Sequence, residues 1–278
     1  MDGSVTERWA SMLAMPDEVL DLAEAALLIA KDEYPELDAG RYLKRLDALA
    51  EAAGRALSGD TEAGLERLND CLFREQGFRG NSDDYYDPRN SYLNEVLDRK
   101  LGIPITLSIV YLEVGWRLGL PLSGVSFPGH FLVRAEAANG PRIVDPFDGG
   151  VALDEEALRE RLARVLQDEP AIDPDPARWL GAAGKREILL RVLRNLKGIH
   201  LHHQSLNKAL MVVHRIMLIV PDNAEELRDR ARIYERLECF RAAAEDYERY
   251  LEIAPAAPDA REVYASMTDL KRRGARLN

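Results

Sequence analysis

Between residues 104 and 118 the chain offers no polar face. Ile105, Leu107, Ile109, Val110, Leu112, Val114 and Trp116 fall on all sides of a 3.6-residue helix, and a helix of that kind has to be enclosed by the rest of the fold. Pro104 opens it, since a proline at the first helical position gives up only an N–H that has no intrahelical partner. Gly102 separates it from a shorter helical pattern over 91–100. The enclosing material must come from both sides in sequence. Upstream, 5–73 repeats apolar residues at helical spacing, as in Val19, Leu20, Leu22, Ala23, Ala26, Leu27 and Ala30, and is predicted helical throughout, with Pro16-Asp17 as a helix start. Residues 77–90 are rich in Gly, Asn, Asp and Tyr, which is loop chemistry. Downstream of Pro121 the period becomes strand-like over 122–127, 130–136 and 142–145, the last two joined at Ala137-Ala138-Asn139-Gly140, whose Asn-Gly step signals a hairpin. A small antiparallel sheet packed on the central helix is the expected result.

Helix returns over 154–166. Residues 168–176 then hold three prolines and four acids in nine positions, the composition of a linker. The predicted division is a first domain over 1–167, a linker over 168–184 and a second domain over 185–278. In the second domain Pro221 and Pro255 each end an apolar helical run and stand 34 residues apart, the length of a tetratricopeptide repeat. Counted from Ala224, the small and aromatic repeat positions are filled by Ala231, Tyr234, Ala243, Tyr247 and Pro255. The preceding unit, from Leu190, keeps Ala209 and Pro221 but has Lys197 and His200 where a small and an aromatic residue are usual. It reads as a degenerate repeat, and a last helix over 258–273 reads as its cap.

Of 278 residues, 46% are hydrophobic and 31% charged, enough for two cores, and the formal net charge is −11. That charge repels a phosphate backbone, and Lys271-Arg272-Arg273 reads as a helix C-terminal preference, so no nucleic acid is expected as partner. No apolar run is long enough to cross a membrane and the N-terminus lacks a signal pattern, which makes the expected location cytoplasmic. Cys71 and Cys239 lie far apart without metal-type spacing and read as free thiols. His200, His202 and His203 have no acidic company, so no metal or other cofactor is expected.

Three features of the first domain converge: a helix N-terminus at Gly102-Ile103-Pro104, His130 after a Pro128-Gly129 turn, and Asp145 at the end of the next strand. A nucleophile at a helix N-terminus is favoured by unpaired N–H groups and by the dipole, while a base and its orienting carboxylate come from neighbouring strands. The sequence here resembles the transglutaminase-like superfamily, and within it the bacterial SirB-type branch with C-terminal tetratricopeptide repeats. The residues that carry the resemblance are 86–94 (Tyr86-Asp87-Pro88-Arg89-Asn90-Ser91-Tyr92-Leu93-Asn94), 102–108, 128–134 and Asp145-Pro146-Phe147. It implies an α+β fold: a mostly helical transglutaminase-like (papain-like) domain with a small antiparallel sheet, followed by an all-α tetratricopeptide-like domain. It also implies a regulatory role and a protein or peptide partner, taken up through the cleft and the repeat surface.

The position where that family keeps its catalytic cysteine is not a cysteine. Aligned on Gly102 it is Pro104, and aligned on Arg117 it is Ile105. Cys71 would have to swing in from about thirty residues upstream. Thr106 and Ser108 offer hydroxyls near the helix start, although hydroxyls on a buried helix usually bond back to the preceding turn. His130 and Asp145 remain as catalytic candidates, with Asp145 before Pro146 equally a turn former. Asn90 and Ser91 are cleft candidates, better explained as N-caps of the next helix. Tyr86, like Tyr85, either lines the cleft or pins its loop. Two readings follow: a non-catalytic binding module that keeps the groove and its N–H donors, or a hydrolase or acyltransferase using a hydroxyl with the His-Asp pair.

Overall fold

A computed structural model describes residues 3–54 and 60–276. The chain divides into two compact units, one ending at Val192 and the other beginning at Leu193. The first unit opens with helices α1 (Gly3–Leu13), α2 (Leu22–Ala30), α3 (Ala39–Ala53) and α4 (Thr61–Asn69), the last running into a π-helical turn over Asp70–Glu75. Aspartates set three of these starts: Asp21, Asp38 and Asp60 accept the N–H of the residue three positions on, each cap worth about 1 kcal/mol. So α2 starts at Leu22 and not at the expected Pro16-Asp17. Asp17 instead caps another helix: its carboxylate accepts the N–H groups of Lys185 (2.6 Å) and Arg186 (2.9 Å).

Next come β1 (Arg79–Gly80), a 3-10 turn (Pro88–Asn90), α5 (Leu93–Arg99), β2 (Leu101–Gly102) and α6 (Pro104–Arg117). Every residue of α6 from Pro104 to Gly115 is buried, as its unbroken apolar surface requires. Two of its buried polar groups are accounted for differently. Glu113 accepts the N–H of Ala23 at 3.0 Å and pairs with Arg117, whereas the Ser108 hydroxyl has no hydrogen-bond partner.

The sheet has five strands, all antiparallel, in the order β6 (Val151–Leu153), β5 (Gly140–Asp145), β4 (Leu132–Ala137), β3 (Leu122–Val125) and β7 (Ala182–Ala183). The expected strands are β3 (Leu122–Val125), β4 (Leu132–Ala137) and β5 (Gly140–Asp145), with Gly140 at φ +108° where the β4–β5 hairpin turns. Two short edge strands were not predicted: β6 (Val151–Leu153), and β7 (Ala182–Ala183), which pairs with Gly124 and Val125. With β7 and a 3-10 turn over Pro176–Trp179, residues 168–184 hold structure of the first unit, and the division falls later, within α8 (Lys185–His202). One face of the sheet packs on α6. The other meets α7 (Glu155–Asp168): Val125, Phe127, Leu132 and Ile143 bury Leu158 and Leu162.

The second unit holds the end of α8, α9 (Leu206–Ile219), α10 (Ala224–Arg236), α11 (Phe240–Ile253) and α12 (Ala260–Arg276). Its 34-residue period is written into the backbone. Gln204 and Glu238 are both at positive φ (55° and 59°), and both are followed by an N–H bonded to the carbonyl five residues back, Ser205 to His200 and Cys239 to Tyr234. Ala209 and Ala243 are equivalent and fully buried, as is Ala231. Lys197, at the usual small position of the first repeat, carries its ammonium out to Glu226 (2.7 Å) and Asp229 (2.6 Å). The repeat therefore keeps its turn geometry while replacing a packing contact with an ion pair.

Candidate functional site

The turn after β3 brings His130 to the end of the sheet. Phe127 is fully buried in the sheet–α7 core and its carbonyl accepts the His130 N–H at 3.0 Å. Gly129, at φ +66°, sits so close to α7 that a Cβ there would lie 2.7 Å from Val165, so glycine is the residue that fits. His130 Nε2 stands 3.0 Å from each carboxylate oxygen of Asp145. Asp145 is fully buried; it also accepts the Phe147 N–H at 3.0 Å and meets Arg161 Nη2 at 2.7 Å.

Burial pushes the Asp145 carboxyl up, but His130, Arg161 and the Phe147 N–H outweigh it and hold it below the ordinary carboxylate range. As an ionised carboxylate it only accepts, so Nε2 carries the imidazole proton and Nδ1 is turned to the opposite side. Arg161 Nη1 lies 3.5 Å from Nε2. Two donors face each other there, and the contact is proximity rather than a bond. Because the folded-state value is depressed, the carboxylate's contribution to stability is complete above about pH 4 and is lost as pH falls through the lower folded value. Acid unfolding of the Asp145→Asn protein should therefore show a flatter acid limb than the natural protein, while the two curves run parallel above pH 5 or so.

Arg161 has no counterpart in the sequence expectations. A signal existed: Leu158, Arg161, Leu162 and Val165 form one i, i+3, i+4, i+7 stripe, and a guanidinium on the buried stripe of a helix requires a buried acid to meet it.

Phe147 links this pair to the start of α6. Its ring packs edge-on to His130 at 5.9 Å and to Tyr85 at 6.3 Å, and it leaves no room for a side chain at position 80, where a Cβ would lie 2.6 Å from the ring. Gly80 pairs with Gly102 across β1 and β2, two residues before Pro104. Phe147 thus connects the His-Asp pair to β1, whose partner β2 leads into the start of α6. What that helix start offers is different from expectation. Pro104 and Ile105 are buried. The Ile103 N–H goes to the Thr106 hydroxyl at 3.2 Å, and Thr106 Oγ1 donates to the Asn90 carbonyl at 2.6 Å. Proline has no N–H. Two of the donors expected to survive there are therefore gone, one chemically and one by the Thr106 bond.

Among the described residues none of the other candidates bonds to His130 or Asp145. Asn90 and Ser91 are not N-caps, because α5 begins at Leu93 with Tyr92 in the cap position and no side-chain cap. The Asn90 amide instead closes the 81–85 loop, donating to the Asp84 carbonyl (2.7 Å) and accepting from Asn81 (3.0 Å). Ser91 is buried and its hydroxyl has no partner. Tyr86 is 63% exposed and packs on Tyr85. Cys71 is buried against α3 with its thiol directed to the Leu49 carbonyl, and burial pushes that thiol up. Among the described residues no hydroxyl or thiol bonds to His130, and no group of three or more His, Cys, Asp or Glu side chains is arranged to hold a metal. Nor is any described helix long and apolar enough to cross a membrane.

Comparison with known proteins fits this geometry. The transglutaminase-like superfamily matches residues 40–194, and the tetratricopeptide repeat family matches 196–268. A UPF0162 protein of Xylella fastidiosa (strain 9a5c) is 42% identical over 268 residues, covering 94% of each chain. A UPF0162 protein of Vibrio cholerae is 32% identical over 90% of this chain and 93% of its own. Protein SirB1 of Salmonella typhimurium is 29% identical over 82% of this chain and 83% of its own. The chain belongs to the transglutaminase-like superfamily, in the SirB-type group that joins such a domain to tetratricopeptide repeats.

Proposed function

We propose that the first unit binds a peptide segment of a partner protein without turning it over, and that the repeats supply a second protein contact, in a cytoplasmic regulatory role. The observation that carries this reading is the occupied helix start. The imidazole is held by Asp145, the positions where the family's nucleophile is expected are the buried Pro104 and Ile105, the Thr106 hydroxyl is engaged elsewhere, and the Asp145 charge is shared with Arg161. Such a site has no nucleophile and fewer N–H donors for a developing oxyanion. A place for a peptide lies next to it: a cavity of about 630 Å³ runs along Phe127, Pro128 and Gly129, with Trp179 on its wall and both Glu187 and Arg191 at its edge. A half-buried tryptophan beside charged groups is the composition of an interface anchor.

Incubation of the purified protein with a peptide library, followed by mass spectrometry, should show retention of a subset of peptides and no cleaved or amine-linked product. Trp179→Ala should weaken the retained peptides at least about tenfold, the scale of an anchor residue. Turnover that disappears in His130→Ala would overturn the binding reading in favour of an enzyme.

A further inference from the structure

The sheet ends on β7, beside the cavity that holds Trp179, and the backbone of that strand is only half used. Alternate residues of an antiparallel strand turn their N–H and C=O to opposite sides, so one bond sets the phase. The Pro121 carbonyl accepts the Glu136 N–H at 3.0 Å; Ser123 and Val125 therefore also bond to β4, and Gly124 bonds to β7. Gly124 stands opposite Ala183. Ala182, one residue away, points its N–H and C=O away from β3. No strand lies on that side of β7, and among the described residues neither group has a hydrogen-bond partner. Ala182 is exposed and lines the cavity. Open edges are normally guarded by charges or prolines, whereas residues 181–184 read Gly-Ala-Ala-Gly.

The two faces of this edge differ. Ala182 shares the face of its partner Val125, the one on which Trp179 packs. Ala183 shares the face of Gly124, where α8 lies: Ile188 Cδ1 is 3.1 Å from the position of a Cβ added at Gly124. Glu187 and Arg191, one turn apart on α8, line the same cavity. Its arginines are engaged, Arg178 with Asp173 at 3.7 Å, whereas Glu169 and Glu187 are exposed and enter no ion pair among the described residues. The charge left for a ligand is negative.

We infer that a peptide of a partner protein binds here as a sixth strand, its backbone paired with Ala182, an apolar side chain opposite Ala182 resting on Trp179, and a basic residue next to it in sequence reaching Glu187. Main-chain bonds supply the affinity in strand addition, and alternate side chains, falling to opposite faces, supply the selection. An acidic residue at the basic position would meet uncompensated like charge. This mode of binding rests on the peptide-binding reading given for the cavity.

The test passes a randomised library of capped heptapeptides over the full chain, then resynthesises the retained peptides with each backbone amide N-methylated in turn. Methylating the residue opposite Ala182 should weaken binding at least about tenfold, and methylating either neighbour, whose amide points the other way, should not. Ala182→Pro should lose binding to a similar extent and keep its melting temperature, because the N–H it removes faces outward, where an edge strand accepts proline. Retained peptides should be enriched in Lys or Arg beside the apolar residue, and Glu187→Gln should abolish that preference. If Ala182→Pro folds poorly, the methylated series decides alone. Peptides that bind with no amide sensitive to methylation, or that bind folded Ala182→Pro as tightly as the natural protein, would overturn strand addition and leave the cavity as a peptide site. A library from which nothing is retained would remove the peptide reading itself, and strand addition with it.

Discussion

Replacing Asp145 by alanine is expected to lower the stability of the first unit by about 3–5 kcal/mol, the range found when one partner of a buried charge cluster is removed. The carboxylate is fully buried and is the common acceptor for His130, Arg161 and the Phe147 N–H. Without it, a guanidinium and a backbone N–H are left facing an emptied site. For a unit of this size a loss of that order lowers the melting temperature by roughly 10 °C. His130→Ala should cost much less, about 1 kcal/mol, because the imidazole is 15% exposed and Arg161 still pairs with the acid. Urea unfolding of the two variants gives the comparison. Equal losses would mean that the imidazole, and not the guanidinium, anchors the carboxylate.

Gly150→Ala is the second large effect. Gly150 is at φ +79°, and a methyl there would lie 2.6 Å from Cγ of Asn69 and 2.7 Å from the Phe73 ring. Asn69 cannot retreat without loss, since its amide donates to the Gly150 carbonyl at 3.1 Å and its Oδ1 accepts the Tyr111 hydroxyl at 3.0 Å. Tyr111 is fully buried on α6, and burial pushes its phenol well above the ordinary range, so the hydroxyl stays protonated and needs that acceptor. The left-handed backbone costs about 1–2 kcal/mol with a Cβ and the overpacking about 1–3 more. Gly149→Ala is the matched control: it is also left-handed, at φ +66°, but nothing lies within 4 Å of its added methyl. It should lose only the backbone part. If the two alanine variants melt together, the Asn69 contact is not a constraint.

Long periodic segments were legible in the sequence because their signal is summed over many residues. The apolar helix α6, the β4–β5 hairpin and the 34-residue repeat are of this kind. Interactions that rest on one residue meeting another far along the chain were not. Edge strands of two or three residues have no period to read. The assignment of Asn90 and Ser91 to a helix cap failed because the loop over 81–85 competes for the Asn90 amide, a contact no local pattern announces. At the candidate site, the hairpin spacing explains why His130 and Asp145 end close together, while Arg161 required noticing a charge on the apolar stripe of α7. The reading of the helix start as an intact set of N–H donors overlooked that Thr106 stands three residues after Ile103 and reaches back to it.

The Asp17 cap has a consequence for the order in which the chain acquires structure. The first turn of α8 is closed by a residue 168 positions upstream, and the same turn is gripped again where Lys185 Nζ donates to the carbonyls of Glu18 and Leu20 and Arg186 to that of Leu13. Loop closure over that length carries an entropic cost that must be met before the contact returns any stability. In synthesis Asp17 precedes Lys185 by 168 residues, so this cap can close only after α8 has been made. A chain that has lost its first twenty residues would leave the opening amides of α8 to water.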